Sequence, residues 1–172
     1  MNRIDLAKSF KEYGFKVGAE VGVDRGEYSE VLCRENPGLK LYCIDFWDLK
    51  QGGLGNHRGR DYIKCKELLA PYTATLIKKY SLDAVNDFED KSLDFVYIDA
   101  GHDFDDVMQD IIRWTKKVRK GGIVSGHDYV PSHRKRIAVA VNAYIKAHAL
   151  WLHTTDDESE PLSWWFVKKW NI

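Results

Sequence analysis

Residues 17–29 read VGAEVGVDRGEYS, and this stretch decides which fold the sequence predicts. Its first half is apolar and rich in valine, as expected of a short strand buried in a parallel sheet. Gly22 and Gly26 follow, and glycine lets the backbone turn tightly and lets a ligand approach without a Cβ in the way. A helix that opens at Glu27 would point its first N–H groups at such a ligand. The stretch therefore predicts the strand–loop–helix unit of a nucleotide-type α/β fold.

The loop in this unit departs from the dinucleotide-binding fingerprint. The pattern GxGxxG requires a glycine where this chain has Asp24, and a pyrophosphate would meet the carboxylates of Glu20 and Asp24. Glycines combined with acids suit a ligand that is cationic or neutral where it meets the loop. An ordinary turn of an α/β protein is the alternative for this motif taken alone.

Length, charge and cysteine usage narrow the class of protein. A chain of 172 residues suits one domain, which we take to span residues 1–172. The 26 basic and 26 acidic residues balance, which argues against nucleic acid or an anionic membrane as the main partner. No apolar run reaches the length of a membrane span. Cys33, Cys43 and Cys65 show no metal-ligand spacing, and we interpret them as reduced thiols of a cytoplasmic protein.

Strand and helix patterns alternate along the chain, which predicts a parallel sheet with helices on both faces. The last two strands flank the acidic segment DDESEP and predict an antiparallel hairpin. After the first strand, the predicted strands span residues 40–46, 74–79, 93–100, 121–128, 150–155 and 163–169. The predicted helices span residues 2–14, 27–34, 61–70, 82–88, 103–117 and 134–148.

Ligands of such sheets bind outside the carboxyl ends of the strands, so the polar residues found there should face one crevice. The glycine-rich segment 47–60 shows little periodicity and predicts a loop that orders over this crevice as a lid. The polar residues at or just beyond the strand ends are Glu20, Asp24, Asp45, Ser81, Asp99, His102, His127 and Asp128.

Asp45 lies about 20 residues beyond the glycine turn, where an acid hydrogen-bonds a ribose diol in nucleotide-binding sheets. The alternative for Asp45 is a strand-end acid that caps the next loop. Asp99, His102, His127 and Asp128 follow two other strands. Carboxylates and imidazoles converging from strand ends can hold Mg²⁺, Ca²⁺ or Mn²⁺, and a hydrogen-bonded set without metal is equally open from spacing alone.

Five segments of the chain resemble the class I S-adenosylmethionine-dependent methyltransferases over about residues 15–170. Within that class they are most similar to a small O-methyltransferase-like group with IDA-x-H and GGxxxGHDY segments. The resemblance implies a Rossmann-like, seven-stranded, three-layer α/β/α fold with an antiparallel last strand. The segments are AEVGVDRGEYS, LYCIDFW, LDFVYIDAGHDFDDVMQDI, KKVRKGGIVSGHDY and SWWFVKK.

The resemblance also implies roles for individual residues. Asp99, His127 and Asp128 fall where metal-dependent catechol-type enzymes place three metal ligands, which makes Mg²⁺ or Mn²⁺ an expected cofactor. Those enzymes have an Asp-Asn pair where this chain has His127-Asp128, and histidine is the poorer ligand for Mg²⁺. Their lysine base has no counterpart here, and the local candidate is His102. The residues implied to bind S-adenosylmethionine are Glu20, Gly22, Gly26, Asp45, Phe46, Ser81, Leu82 and Asp99.

The expected activity is transfer of a methyl group from S-adenosylmethionine to a hydroxyl oxygen of a small sugar or phenolic acceptor. Asp99 and His102 are the expected catalytic residues: a metal would lower the pKa of the hydroxyl, and without it His102 or His127 would take the proton. The alternatives are an NAD-dependent oxidoreductase and a non-catalytic protein that binds cofactor or partner through the same fold. A homodimer is compatible with each of these hypotheses.

Overall fold

The computed structural model describes residues 1–47, 57–131, 136–156 and 161–169, and for residues 57–60 it describes the backbone alone. Seven strands in these ranges form one sheet in the order β3-β2-β1-β4-β5-β7-β6. Strand β7 runs antiparallel to both of its neighbours, β5 and β6, and the other neighbouring strands pair in parallel. The predicted seven-stranded Rossmann-like sheet with an antiparallel last strand is therefore confirmed. The strands are β1 Val17–Val21, β2 Lys40–Asp45, β3 Ala74–Lys78, β4 Leu93–Ile98, β5 Val118–Tyr129, β6 His153–Thr154 and β7 Leu162–Val167.

Helices cover both faces of this sheet and give a three-layer α/β/α architecture. One apolar core packs Ile111 and Val141 against Val96, and the other packs Leu6 and Leu32 against the opposite face. A 3₁₀ turn, Val85–Asp87, follows the fourth helix. The helices are α1 Arg3–Glu12, α2 Glu27–Glu35, α3 His57–Leu69, α4 Ser81–Ala84, α5 Phe104–Lys117 and α6 Arg136–Ala147.

The segment 47–60 differs from the prediction of a single long loop. Helix α3 begins at His57, four residues before its predicted start, so residues 57–60 are helical. Trp47 is 1% exposed, and its indole Nε1 donates a hydrogen bond of 2.7 Å to the carbonyl of Asp24. Trp47 is therefore anchored in the core in this structure, unlike the mobile residue that the lid prediction requires. Residues 48–56, where the rest of the predicted lid falls, lie outside the described residues.

Helix α1 brings the N-terminus of the chain to the carboxyl ends of the central strands. A capping box between Asn2 and Asp5 opens the helix. Leu6 and Phe10 are buried, and the Phe10 ring lies 4.3 Å from the ring of Phe95 on β4. This packing fixes the first turn of α1, which contains Arg3. No helix in the described ranges is long and apolar enough to cross a membrane.

Candidate functional site

The loop after β1 joins the ends of three strands. Gly22 has a φ of 89°, and a Cβ built on it would lie 2.0 Å from the carbonyl oxygen of Asp99. Its N–H donates to the carbonyl of Ile44 at 2.8 Å, and the N–H of Asp99 donates to the carbonyl of Val21 at 2.7 Å. A side chain at position 22 would push these strand ends apart, so glycine is required there.

Asp45, at the end of β2, holds this loop in place. One carboxylate oxygen accepts hydrogen bonds from the N–H groups of Val23 and Asp24, at 2.8 and 2.9 Å. The other accepts from the N–H of Trp47 at 3.2 Å. The loop-capping alternative thus describes what Asp45 does in this structure. A carboxylate oxygen can accept more than one hydrogen bond, and Asp45 also lines the cavity beside the loop, so the ribose role stays a prediction.

A cavity of about 630 Å³ opens at the carboxyl ends of β1 and β2. Its apolar wall includes Leu82 and the stacked rings of Phe46 and Tyr80, whose centroids lie 3.7 Å apart at an interplanar angle of 14°. The predicted cofactor residues Gly22, Asp45, Phe46, Ser81 and Leu82 line this cavity, whereas Glu20, Gly26 and Asp99 are not among its lining residues.

The charged groups of the cavity favour a cationic occupant. Lys79 lines the cavity and forms an ion pair with Asp87 at 2.6 Å. Beside the cavity, Arg25 forms an ion pair with the lining residue Asp61 at 3.0 Å. Burial, together with the charge of Asp61, raises the pKa of Asp24. Arg25 neutralises Asp61, but the other four acids of the wall form no ion pair among the described residues, so acidic groups still dominate it. Five lining residues are acidic: Asp24, Asp45, Asp61, Asp106 and Asp110.

Asp110 lies at the floor of this cavity on α5. It is 3% exposed and accepts a hydrogen bond from the Ser81 hydroxyl, whose oxygen accepts in turn from the indole Nε1 of Trp114 at 2.8 Å. Burial raises the pKa of Asp110 to about 6. This chain of hydrogen bonds fixes Ser81, one of the residues predicted to bind the cofactor, and adds an acid that the sequence analysis did not identify.

Glu20 lies behind the glycine loop. It is 2% exposed, accepts a hydrogen bond from the Ser29 hydroxyl of α2, and burial raises its pKa to about 8. Gly26 opens α2 with a φ of 83°, and a Cβ there would lie 2.9 Å from the sulfur of Cys65. Both residues therefore support the loop in this structure, and their predicted contacts with a ligand stay predictions.

A second cluster of polar groups lies at the ends of β4 and β5. The ring nitrogen Nε2 of His102 lies 3.2 Å from one oxygen of Asp128, and Nδ1 of His127 lies 3.4 Å from the other. Nδ1 of His127 also lies 4.0 Å from Asp99. The structure thus brings together all four residues that the sequence placed there. Asp99, His102 and Asp128 each offer a ligand atom within 4.8 Å of the others.

A guanidinium already neutralises one of these carboxylates. The Nη2 atom of Arg3 lies 2.9 Å from Oδ2 of Asp99. Burial raises the pKa of Asp99, and the charges of Arg3 and then His127 act in the opposite direction. The donors of the cluster are close enough to share a cation, but Asp99 has a partner, so the set does not fit a resident metal ion as it stands. The predicted metal site stays a prediction.

The cavity and the cluster share a wall. Ala100 and Gly101 line the main cavity and also a small hollow bordered by Asp99, His102 and His127. A group held in the cavity and a group held at the cluster would therefore meet across a single short segment. Such an arrangement suits transfer between two bound molecules.

Sequence reasoning missed Arg3, Asp110 and Tyr80. Asp110 carried a weak signal, because an acid among the apolar positions of an amphipathic helix is unusual unless it has a partner. Tyr80 immediately precedes Ser81 and could have been added to the predicted cofactor-binding residues Ser81 and Leu82. Arg3 carried no signal, because only the docking of α1 places it beside β4.

A family model described as a methyltransferase domain matches residues 19–129 of the chain. The chain belongs to this methyltransferase-domain family. The matched region begins in β1 and ends at the last residue of β5, so it contains the loop, Asp45 and the Asp99–Asp128 cluster. Arg3 lies before it. No curated protein matches the sequence significantly.

Solved structures share the fold of this methyltransferase domain at low sequence identity. An O-methyltransferase from Bacillus cereus in complex with SAH is 14% identical with a TM-score of 0.70, over 96% of this chain and 80% of that one. The O-methyltransferase TomG from Streptomyces achromogenes, in complex with SAM, is 15% identical with a TM-score of 0.72, over 96% of this chain and 79% of that one. At such identities the likeness shows the fold.

Proposed function

We propose that this protein is an S-adenosylmethionine-dependent methyltransferase that methylates a hydroxyl oxygen of a small sugar or phenolic molecule. Membership of the methyltransferase-domain family supports the reaction class. The observation that carries the proposal is the shared wall at Ala100 and Gly101, with an acid-lined cavity on one side and an acid–imidazole cluster on the other. That geometry would allow a cationic methyl donor to lie beside an acceptor that must lose a proton.

The cavity fits S-adenosylmethionine by its chemistry. When bound, this cofactor supplies a methyl group on a positively charged sulfur. The acidic wall attracts that charge, and a pyrophosphate would be repelled by the same wall. Phe46, Tyr80 and Leu82 offer apolar surface to a flat heterocycle, and Ser81 with Asp110 offers polar atoms at its edge. Asp45 keeps the loop closed around the cavity through three backbone hydrogen bonds.

His102 is the group we assign to remove the proton of the acceptor hydroxyl. Its side chain is 63% exposed, so an acceptor can reach it. Asp128 holds Nε2 of the ring at 3.2 Å, which orients the ring and favours the tautomer with a lone pair on Nδ1. That lone pair would take the proton while the hydroxyl oxygen displaces sulfur from the methyl carbon, and S-adenosylhomocysteine would leave with the electron pair of the broken carbon–sulfur bond. Alignment of the two reactants would account for most of the rate, as in other in-line displacements.

The test is turnover with a panel of sugar and phenolic acceptors and cofactor labelled in its methyl group. His102→Ala should lower turnover by roughly a hundredfold or more, the usual contribution of a general base. Its affinity for S-adenosylhomocysteine, measured by calorimetry, should stay within a factor of two. His153→Ala is the matched control, since His153 is an exposed histidine on β6 that lines neither site.

Each rival function has its own signature in these measurements. Binding of S-adenosylhomocysteine without turnover on any acceptor would indicate a non-catalytic cofactor-binding protein. Full activity of His102→Ala would refute the assigned base while leaving the reaction class standing. A divalent metal at Asp99, His127 and Asp128 is the predicted alternative route for activating the hydroxyl. Arg3 lies 2.9 Å from Asp99, one of these three residues, and therefore affects whether a metal can bind there.

A further inference from the structure

We propose that Arg3 is the resident cation of the Asp99–Asp128 cluster and takes the place of a divalent metal ion there. In this arrangement the protein does not hold a dication between Asp99 and Asp128, and removal of the guanidinium opens such a site. This inference rests on the proposed function, because that proposal is what gives the cluster a role in the reaction. The family match begins at residue 19 and therefore does not include Arg3.

The Arg3 guanidinium is held by a carboxylate and two aromatic rings. Its Nη2 atom lies 2.9 Å from Asp99, its Cζ atom lies 3.9 Å from the ring centroid of Tyr28, and Cζ lies 5.0 Å from that of Tyr97. Both tyrosines are buried. Contact of a guanidinium with ring faces is attractive and restricts its movement. The ion pair with Asp99 is therefore a positioned contact and not a loose surface pair.

The backbone of Arg3 is anchored as well. Its carbonyl accepts a hydrogen bond from the Tyr28 hydroxyl at 3.2 Å, and the helix that it opens is buried through Leu6 and Phe10. With the backbone fixed, the guanidinium could leave Asp99 only by a rotation of the side chain, which would break its contacts with the rings of Tyr28 and Tyr97. A dication would therefore have to bind Asp99 with the guanidinium still beside it, and the two positive charges would repel each other.

Asp99 is also needed where it is. The Nε atom of Arg3 is buried and has no hydrogen-bond partner among the described residues. Among the described residues, Asp99 is the carboxylate that forms an ion pair with Arg3. If a metal ion took Asp99 away, the guanidinium would be left partly buried without its counter-charge, which is strongly unfavourable. At the other end of the cluster, Asp128 is already in contact with His102 and His127.

The experiment is a Mn²⁺ titration followed by electron paramagnetic resonance, with the full chain and without any acceptor. The wild type should show no saturable site below millimolar Mn²⁺. Arg3→Met keeps an unbranched apolar side chain against the rings of Tyr28 and Tyr97 and removes the charge, so it should bind one Mn²⁺ at least tenfold more tightly than the wild type. Adding Asp99→Asn to Arg3→Met should abolish that site.

Two further variants serve as controls for the Mn²⁺ titration. Arg25→Met removes a different arginine–aspartate pair, the one with Asp61, and should gain no Mn²⁺ site, which excludes a general effect of net charge. Arg3→Lys keeps the charge and should resemble the wild type even if Arg3→Met folds poorly. Tight stoichiometric Mn²⁺ binding by the wild type, lost in Asp99→Asn, would overturn the proposal, and so would the absence of a gained site in folded Arg3→Met.

The proposed function can fail independently of this inference. S-adenosylhomocysteine titrations of the same samples report on the cofactor cavity, which Arg3 does not line. Failure to bind that ligand would refute the proposed methyl transfer while the Mn²⁺ result for Arg3 stood. Conversely, a wild type that binds both ligands tightly would keep the proposed function and refute the role of Arg3.

Discussion

At the scale of single residues, Glu20 makes the pH dependence of stability predictable. It is buried, it accepts a hydrogen bond from Ser29, and burial raises its pKa to about 8 in the folded state. In the unfolded chain a glutamate titrates near 4.3. Between these two values the folded state binds one more proton than the unfolded state, so the free energy of unfolding falls as pH rises through this window.

Glu20→Gln should remove this dependence, because an amide of the same shape does not titrate. The variant should gain on the order of 3 kcal/mol relative to the wild type between pH 5 and pH 8. Urea unfolding at several pH values measures the difference. Glu27→Gln changes an exposed glutamate in the first turn of α2 and is the control, which should track the wild type. A constant difference between Glu20→Gln and the wild type at all pH values would show that Glu20 is ionised when folded.

Single residues also show which parts of the site could be predicted from the sequence and which could not. Asp99, His102, His127 and Asp128 were predictable, because each follows a recognisable strand and parallel strands end at one edge of a sheet. The role of Asp45 was not decided, since a ribose contact and a loop cap require the same residue at the same place. Only the hydrogen bonds of its two oxygens show that it caps the loop.

At the scale of elements, the turn between β1 and α2 depends on the absence of a side chain at position 22. Gly22→Ala should cost roughly 3 kcal/mol or more, since the new Cβ would lie 2.0 Å from a backbone oxygen and the residue has a φ of 89°. Gly14→Ala is a matched control, with a φ of 71° and nothing within 4 Å of a Cβ. It should cost about 1–2 kcal/mol, the penalty of the left-handed conformation alone.

Thermal and urea unfolding of the two alanine variants separate the contributions of conformation and contact. Equal losses would mean that the strand ends relax around the new methyl group and that the close approach to Asp99 is not structurally required. A larger loss in Gly22→Ala, with binding of S-adenosylhomocysteine also weakened, would show that this turn sets the shape of the cavity.

Element types were predictable throughout, and element bounds were less so. The alternation of apolar strands with helices led to the correct sheet, including the hairpin that makes β7 antiparallel. The start of α3 was missed because His57–Arg60 contains a glycine and no apolar side chain, so the helical period becomes visible only from Asp61. Strand β5 begins at Val118, before the two glycines that suggested its start.

At the scale of the whole molecule, the site combines parts that are far apart in the sequence. Arg3 reaches Asp99 across 96 positions of the chain, and this contact exists because α1 packs onto the face of the sheet formed partly by Phe95. Periodicity predicts that a helix is amphipathic but does not state which surface it covers. The cavity was therefore predictable as a location, whereas the cation at its neighbouring cluster was not.

A ligand that binds only the folded state should stabilise the entire molecule. S-adenosylhomocysteine at about 100 times its Kd should add about 2.7 kcal/mol and raise the Tm by roughly 5–10 °C for a chain of this size. NAD at the same concentration should leave the Tm unchanged, because its pyrophosphate would face the acidic wall of the cavity. Asp45→Ala, which removes three hydrogen bonds from the loop, should show a smaller shift with S-adenosylhomocysteine. A Tm raised by NAD and unaffected by S-adenosylhomocysteine would favour the oxidoreductase over the methyltransferase.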